Sequence, residues 1–454
     1  MIIATALSPV LERLSAWFAE IRQERHLAGL SAAVVHDQEI LWAHGVGYAD
    51  VERQTLATAQ TVYAMNSVTK LLTATMLMQV RDAGLVHLDD PLSRYVPAFQ
   101  MHSIYRDPPA ITLRQVASHL AGLPKDFPVP YFDALEIPIP PIEHLLPTLP
   151  TGEVAFPPYA TMHYSNLGYA LLGYALAQVV QQPYREYIHE HILRPLGMHS
   201  SGFDRRMRAE VATGYFPQDA DGSWQAAPVI EDGALEPAGG LYASVIDMAR
   251  FLCLQCAVGP AQSAQILAGT TLREMHAPAW LDSQWERGIG IGWRLRRFQQ
   301  YTQISHSGDG PGFSAEVRLL PDLKVGLVLA TNTNTDVTGI AQAALELLVP
   351  AFAPQPYWVH RAAGPDAWRY TGHYRSSIAN MGLAIWLTAD RLQGQFAGDE
   401  SFTLIPEGGQ QFRMDGGYLT GEVLTFELDD HGHVHCIRFY GFTAHPWSPS
   451  RADS

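Results

Sequence analysis

The order of elements along this 454-residue chain predicts an α+β fold followed by a small all-β barrel. Three observations carry that expectation. A helical segment leads into a strand hairpin between residues 8 and 46, and further strands with a closing helix return at residues 288–348. Between them lies a long, mostly helical stretch. From residue 372 onward the chain changes to short strands punctuated by Gly and Asp turns. One antiparallel sheet built from both ends of the first region, with the helical insertion packed against one face, satisfies all three. The expected division is residues 1–350, a linker at 351–371 and a barrel at 372–454.

Ser8-Pro9 reads as an N-cap followed by a first-turn proline. Leu11, Leu14, Phe18 and Ile21 then recur at helical spacing and carry the helix to about His26. Residues 30–36 and 40–46 read as strands joined by a tight Asp37-Gln38-Glu39 turn. The run at 68–80 is too continuously apolar for a surface helix and is expected to be buried. Residues 85–97 look like connecting structure, and Thr112 opens a short helix that stops at Gly122.

Residues 124–158 are proline-rich and lack periodicity, the pattern of a binding loop or lid. A second apolar helix follows at 167–180. The bend at 231–244 is glycine-rich and enters a helix at 245–256; it lacks the Gly-Lys-Ser/Thr ending of a phosphate loop, which sets phosphate binding aside. Gly288 to Trp293 alternates as a strand, and residues 314–320 and 325–331 form two more before a helix at 337–348. Seven short strands complete the chain, at 372–376, 382–387, 391–396, 402–406, 411–414, 423–428 and 435–439.

Composition removes several classes of function. A hydrophobic content of 47% and a charged content of 17% describe an ordered globular protein. The net charge of −15 offers no basic footprint for nucleic acid, and the densest basic run, Arg205-Arg206-Met207-Arg208, reads as a solvated turn. Cys253 and Cys256 have C-x-x-C spacing but no second pair, so they read as residues on a helix face. His431, His433 and His435 share a strand face without a partner segment, and neither metal nor cofactor is expected. No stretch reaches eighteen apolar residues, so no spanning helix is expected. The short apolar start lacks a basic n-region, which gives a cytoplasmic expectation. The oligomeric state is left open, a homodimer included.

The chemistry concentrates in three short motifs. Ser67 and Lys70 stand three residues apart at the head of the first apolar helix, on one face and within reach of a shared proton. Only three of the thirty basic residues are lysines (Lys70, Lys125 and Lys324), and lysine, unlike arginine, can surrender its proton and act as a base. With so few lysines a Ser-x-x-Lys pair arises by chance about 0.15 times in such a chain. Tyr164-Ser165-Asn166 precedes the second apolar helix and offers a phenol and an amide, although Ser and Asn are also ordinary helix-start residues. His306-Ser307-Gly308 precedes Asp309 and a glycine-rich turn. It offers a proton-steering or carboxylate-binding imidazole and backbone N–H groups for an oxyanion.

Taken in order, these motifs resemble the penicillin-recognising serine hydrolases, specifically the class C beta-lactamase-like branch with its D-aminopeptidases and esterases. Ser118-His119-Leu120-Ala121-Gly122-Leu123 and Gly239-Gly240-Leu241 support the resemblance, which spans about residues 10–350. It implies Ser67 as the acylated nucleophile and Lys70 with Tyr164 as general base. Asn166 would align Lys70 and the substrate carbonyl, and His306 and Gly308 would border the substrate. Backbone N–H groups of Ser67 and Asp309 would form the oxyanion hole. His-Ser-Gly stands where class C lactamases carry Lys-Thr-Gly, which removes a permanent positive charge. The expected activity is hydrolysis of an ester or amide, a D-amino-acid peptide among the options, in a small molecule or short peptide. The alternatives are a weakly turning-over beta-lactamase and a non-catalytic penicillin-binding sensor. The barrel resembles the lipocalin-like domains attached to some of these hydrolases.

Overall fold

The computed structural model describes the chain except residues 1, 106–108, 129–138, 205–210, 218–221, 258–265, 353–361, 377–381, 418, 440 and 448–454. The Arg205–Arg208 run and part of the proline-rich loop therefore lie outside the described residues. Two compact units are present, Met1–Ala353 and Pro354–Ser454.

The first unit is built on a nine-stranded antiparallel sheet drawn from both ends of its sequence. Its order runs Thr55–Leu56, Glu39–Asp50, Gly29–His36, Val325–Thr331, Phe313–Leu320, Tyr301–Gly310, Arg294–Phe298, Arg287–Ile289 and Trp280–Leu281. The Gly29–His36 strand pairs with Val325–Thr331, Leu30 opposite Thr331, and this register joins the two chain ends. Period-two alternation then sorts the side chains. Val34, Leu327 and Leu329 face a cluster containing Leu14, Phe18, Ile340 and Leu345 from the first and last helices. Ala33, Val35, Val328 and Ala330 face the opposite way, toward the helical insertion. Helices thus cover both faces, and each fully buried Leu or Val contributes ~1.5–3 kcal/mol.

The first helix departs from expectation. It spans Ile2–Glu24, with Pro9 inside it rather than at its first turn. Pro9 is the eighth residue of this helix, past the four N-terminal N–H groups that lack helical partners, so it removes one interior hydrogen bond instead of opening the helix. The buried helix over 68–80 is present as Lys70–Asp82, ten of its residues buried, with Ser67 on a preceding 3₁₀ turn, Asn66–Thr69. Within the proline-rich loop the described part contains two short helical turns, Ile142–Leu145 and Leu146–Thr151. Among the described residues no helix is long and apolar enough to cross a membrane.

The second unit is a closed eight-stranded antiparallel barrel. Seven strands occupy the expected places. An eighth, Phe442–Pro446, pairs with Val434–Phe439 and, through Tyr374 opposite Pro446, with the first strand, Gly372–Arg375. The segment read as a linker also contributes to this core: Ala367 and Tyr370 are buried among Phe412, Phe426 and other barrel residues. Cys253 is half-buried and Cys256 buried at the end of the Val245–Cys256 helix, and both are free thiols. His431 and His433 sit in a turn held by Asp429, which accepts from both backbone N–H groups.

Candidate active site

The Ser67 turn is held from three directions. Tyr63, upstream of it, pairs with Ala243 in a two-stranded sheet, and Met65 N–H donates to the Leu241 carbonyl. Thr69 Oγ1 accepts from Leu241 N–H and donates to the Asn66 carbonyl. The glycine-rich bend at 231–244 is therefore the clamp on the Ser67 turn. Asn66 adopts a left-handed φ of 47°, a conformation asparagine tolerates better than most residues. The third support is the Tyr301–Gly310 strand. A Cβ on Gly308 would lie 2.1 Å from the Met65 carbonyl oxygen and 3.2 Å from Ser67 N. Only glycine permits that approach, which brings the Gly308 backbone, one residue before Asp309, alongside the Ser67 amide.

Lys70 is fully buried and its Nζ is saturated by a specific set of contacts. It donates to Asn166 Oδ1 at 2.8 Å and to the Ala238 carbonyl at 2.7 Å, and it lies 3.2 Å from Ser67 Oγ. Burial holds its pKa well below the ordinary lysine value. Asp126 opposes that shift and the positive charge of Arg294 adds to it. A neutral amine has two N–H groups and one lone pair. The Asn166 and Ala238 contacts use both N–H groups, which leaves the lone pair for the Ser67 hydroxyl proton.

Asn166 begins the Asn166–Val180 helix, capped by the Ser165 hydroxyl accepting from Gly168 N–H. Its Nδ2 donates to Asp126 Oδ1 at 2.9 Å, so one of its two amide hydrogens remains for a ligand carbonyl. Ser165 N–H donates to His119 Nδ1 at 3.1 Å, and the His119 ring lies 4.5 Å from that of Tyr164. His119 is buried, with its pKa driven well below the usual value mainly by burial. The Ser118–Leu123 stretch thus positions Tyr164 and Asn166. Gly122 in that stretch has φ 68° and a Cβ position 1.8 Å from the Phe156 carbonyl oxygen, so it too must be glycine.

The Tyr164 ring sits 4.8 Å from Lys70 Nζ, and its Oη is buried without a well-formed hydrogen bond. Burial pushes its pKa up to about 12, while Ser67 and Arg294 pull the other way. At neutral pH the phenol keeps its proton. In its neutral form Lys70 can accept a proton, and the Tyr164 phenol can deliver one.

His306, expected to bind a carboxylate or steer a proton, lies in the interior. Its Nδ1 lies 2.8 Å from the Ser307 carbonyl, and burial with the charge of Arg294 keeps it neutral. A permanent positive charge is nevertheless present, on the neighbouring strand. Arg294 donates to Ser307 Oγ at 3.1 Å, and its guanidinium carbon lies 5.5 Å from the Tyr164 ring centre. No carboxylate lies within ion-pair distance of it among the described residues. Arg294 belongs to an ordinary-looking Arg-Leu-Arg-Arg strand, so only the strand pairing of Arg294 with Ser305 identifies it. Asp126 and the clamp residue Ala238 carried no sequence signal either.

Ser67, Asn166 and Asp309 line one cavity of about 140 Å³, walled by Ile139 of the proline-rich loop and by Tyr242 and Phe313. The structure therefore brings together Ser67, Lys70, Tyr164, Asn166, His306, Gly308 and Asp309. No cluster of three metal-ligating side chains occurs among the described residues.

Comparison with known proteins bears on the family and the fold. The family profile described as Beta-lactamase matches residues 14–351. Beta-lactamase-like protein 2 of Dictyostelium discoideum is 30% identical over 332 residues, covering 71% of this chain and 59% of that protein. The first curated relatives are matched over 59% to 65% of their own length, less than two thirds. The octameric penicillin-binding protein homologue from Pyrococcus abyssi superposes with a TM-score of 0.65 at 22% identity, covering 95% of this chain and 99% of that one. EstCE1, a hydrolase with promiscuous acyltransferase activity, gives a TM-score of 0.65 at 19% identity, covering 78% and 100%. At these identities the structural likeness establishes the fold.

Proposed function

Because the chain belongs to the beta-lactamase family, we propose that it is a serine hydrolase that cleaves an ester or amide through an acyl-enzyme on Ser67. The observation that carries this reading is the Lys70 contact set, which presents a neutral amine's lone pair to the Ser67 hydroxyl. Ser67 Oγ attacks the carbonyl carbon while its proton passes to Lys70 Nζ. The oxyanion is met by the backbone N–H groups of Ser67 and Asp309. As the C–O or C–N bond breaks, the Tyr164 phenol protonates the leaving group and recovers a proton from Lys70. Water then attacks the ester on Ser67, its proton goes to Lys70, and the released Oγ takes that proton back. Asn166 holds Lys70 through Oδ1 and the substrate carbonyl through its free amide hydrogen.

Arg294 and Ser307 supply a cationic, hydroxyl-bearing edge beside Tyr164, where the leaving group departs. The preferred substrates are accordingly those with a carboxylate near the scissile bond, as in a peptide or depsipeptide ending in a free D-amino acid. The same edge favours a second reading, beta-lactam hydrolysis, since the charge absent from His306 is present on Arg294. A panel of short aryl esters, D-amino-acid amides, depsipeptides with free or methylated carboxylates and a chromogenic cephalosporin tests both readings, with Ser67→Ala as control. Turnover of the carboxylate forms over their methyl esters, lost in Ser67→Ala, is expected. Equal turnover by Ser67→Ala would refute the mechanism.

A further inference from the structure

One wall of the Ser67 cavity carries an acid that the hydrolytic chemistry does not use. Asp232 lines that cavity with Ser67 and Asn166, on a stretch otherwise formed by the apolar side chains of Ile139, Val229 and Ile230. A carboxylate placed against such a surface ordinarily has a partner, because its unpaired burial is costly. Asp232 has no side-chain hydrogen bond or ion pair among the described residues. It occupies the N-cap position of the Gly233–Leu235 turn, yet its side chain makes no capping bond. Arg185, which shares the adjoining groove, is engaged by Glu236. Lys70 directs its N–H groups to Asn166 and Ala238 instead.

The aim of the side chain is informative. A Cβ on Gly239 would lie 3.7 Å from Asp232 Oδ1 and 4.0 Å from the Asn66 carbonyl carbon. The carboxylate therefore looks across a bare glycine at the residue preceding Ser67. Burial, reinforced by Glu236, raises its pKa to about 7, so a docking cation would favour its ionised form. From Asp232 a groove of about 870 Å³ continues outward, sharing Ile139, Val229 and Ile230 with the catalytic cavity.

We infer that Asp232 receives a primary ammonium group carried by the substrate within a few atoms of the scissile carbonyl, so that the site takes aminoacyl esters or amides with a free amine. This rests on the serine-hydrolase reading of the same cavity. A carboxylate acting only on Lys70 from a distance would alter reactivity toward every substrate alike. A receptor instead discriminates between a free amine and its acetylated form, by about 10- to 100-fold for one charged hydrogen-bonded contact.

Boronic acids test this whatever the natural acyl group, because a serine Oγ adds reversibly to boron. Aminomethyl-, aminoethyl- and aminopropylboronic acid, each against its N-acetyl form, are scored by how they protect Ser67 from a fluorophosphonate probe near neutral pH. At least one amine is expected to protect about 10- to 100-fold more tightly than its acetyl form. That preference should collapse toward parity in Asp232→Asn and return in part in Asp232→Glu. Parity in the unmodified protein for all three arms overturns the inference alone, as does a preference that survives Asp232→Asn. If neither the probe nor any boronic acid engages Ser67, the hydrolase reading fails and the inference falls with it.

Discussion

At the scale of single residues, the site is governed by how charges are distributed around Lys70. The proposed mechanism requires the neutral amine, so on that mechanism the rate should fall as pH drops through the Lys70 pKa. Arg294 lowers that pKa and Asp126 raises it. In kcat/KM profiles, Arg294→Gln should move the acid limb to higher pH and Asp126→Asn should move it to lower pH. Shifts in the same direction would show that Lys70 is not the group observed. Asp232 permits a stability test. Its folded pKa of about 7 lies above the ordinary 3.8, so folding favours the protonated form. The penalty for ionising it is absent below the unfolded value and complete above the folded one. Asp232→Asn should therefore be more stable than the parent by ~1–3 kcal/mol in mildly alkaline urea titrations. That advantage should fade as pH falls through 7 toward the ordinary carboxylate range.

Much of this residue scale was legible in the sequence, and the remainder has an identifiable reason for being hidden. Ser67 with Lys70, and Tyr164 with Asn166, lie in short motifs at helix starts, where local spacing sets the members of each pair close together, while the contact between Lys70 and Asn166 is tertiary. Arg294 and Asp126 reach the site through tertiary placement, on a strand and in a loop with no distinguishing pattern. Asp232 was visible only as part of a glycine-rich bend. His306 stands out in its motif, but its burial and neutrality depend on packing that no local motif encodes.

At the scale of elements, the decisive contact is the approach of the Tyr301–Gly310 strand to the Ser67 turn. A methyl group at Gly308 would collide with the Met65 carbonyl oxygen at 2.1 Å, forcing the strand outward and Asp309 away from Ser67. Gly308→Ala should lower kcat/KM by roughly 10²–10³-fold, the cost of one lost oxyanion donor. Its far-ultraviolet circular dichroism should stay unchanged; unchanged catalysis would remove Asp309 from the oxyanion hole. Sequence periodicity located the hairpins and both buried helices, because their apolar spacing is strong. It missed the barrel's closing strand, Phe442–Pro446, which is short and ends in proline. Its strand character comes from pairing on both sides rather than from its own pattern.

At the scale of the whole molecule, each unit has its own core. The barrel cluster around Met414 and Phe426 shares no residue with the two clusters that flank the nine-stranded sheet. Phe426→Ala should destabilise the barrel by ~3–5 kcal/mol. Hydrogen-exchange mass spectrometry should then show lost protection across the barrel strands and none in the sheet strands. Loss spreading to Val325–Thr331 would show that the two units unfold as one. The texture changes to short strands at residue 372, but the contribution of Ala367 and Tyr370 to the barrel core did not show in a segment rich in proline and aromatics.

The central claim is that Ser67, activated by a neutral Lys70, is the nucleophile. Treating the purified protein with a fluorophosphonate probe and mapping the adduct by mass spectrometry tests it most directly. A single adduct on Ser67 is expected, absent in Ser67→Ala and strongly slowed in Lys70→Ala. No adduct, or one that persists in Ser67→Ala, would contradict the account.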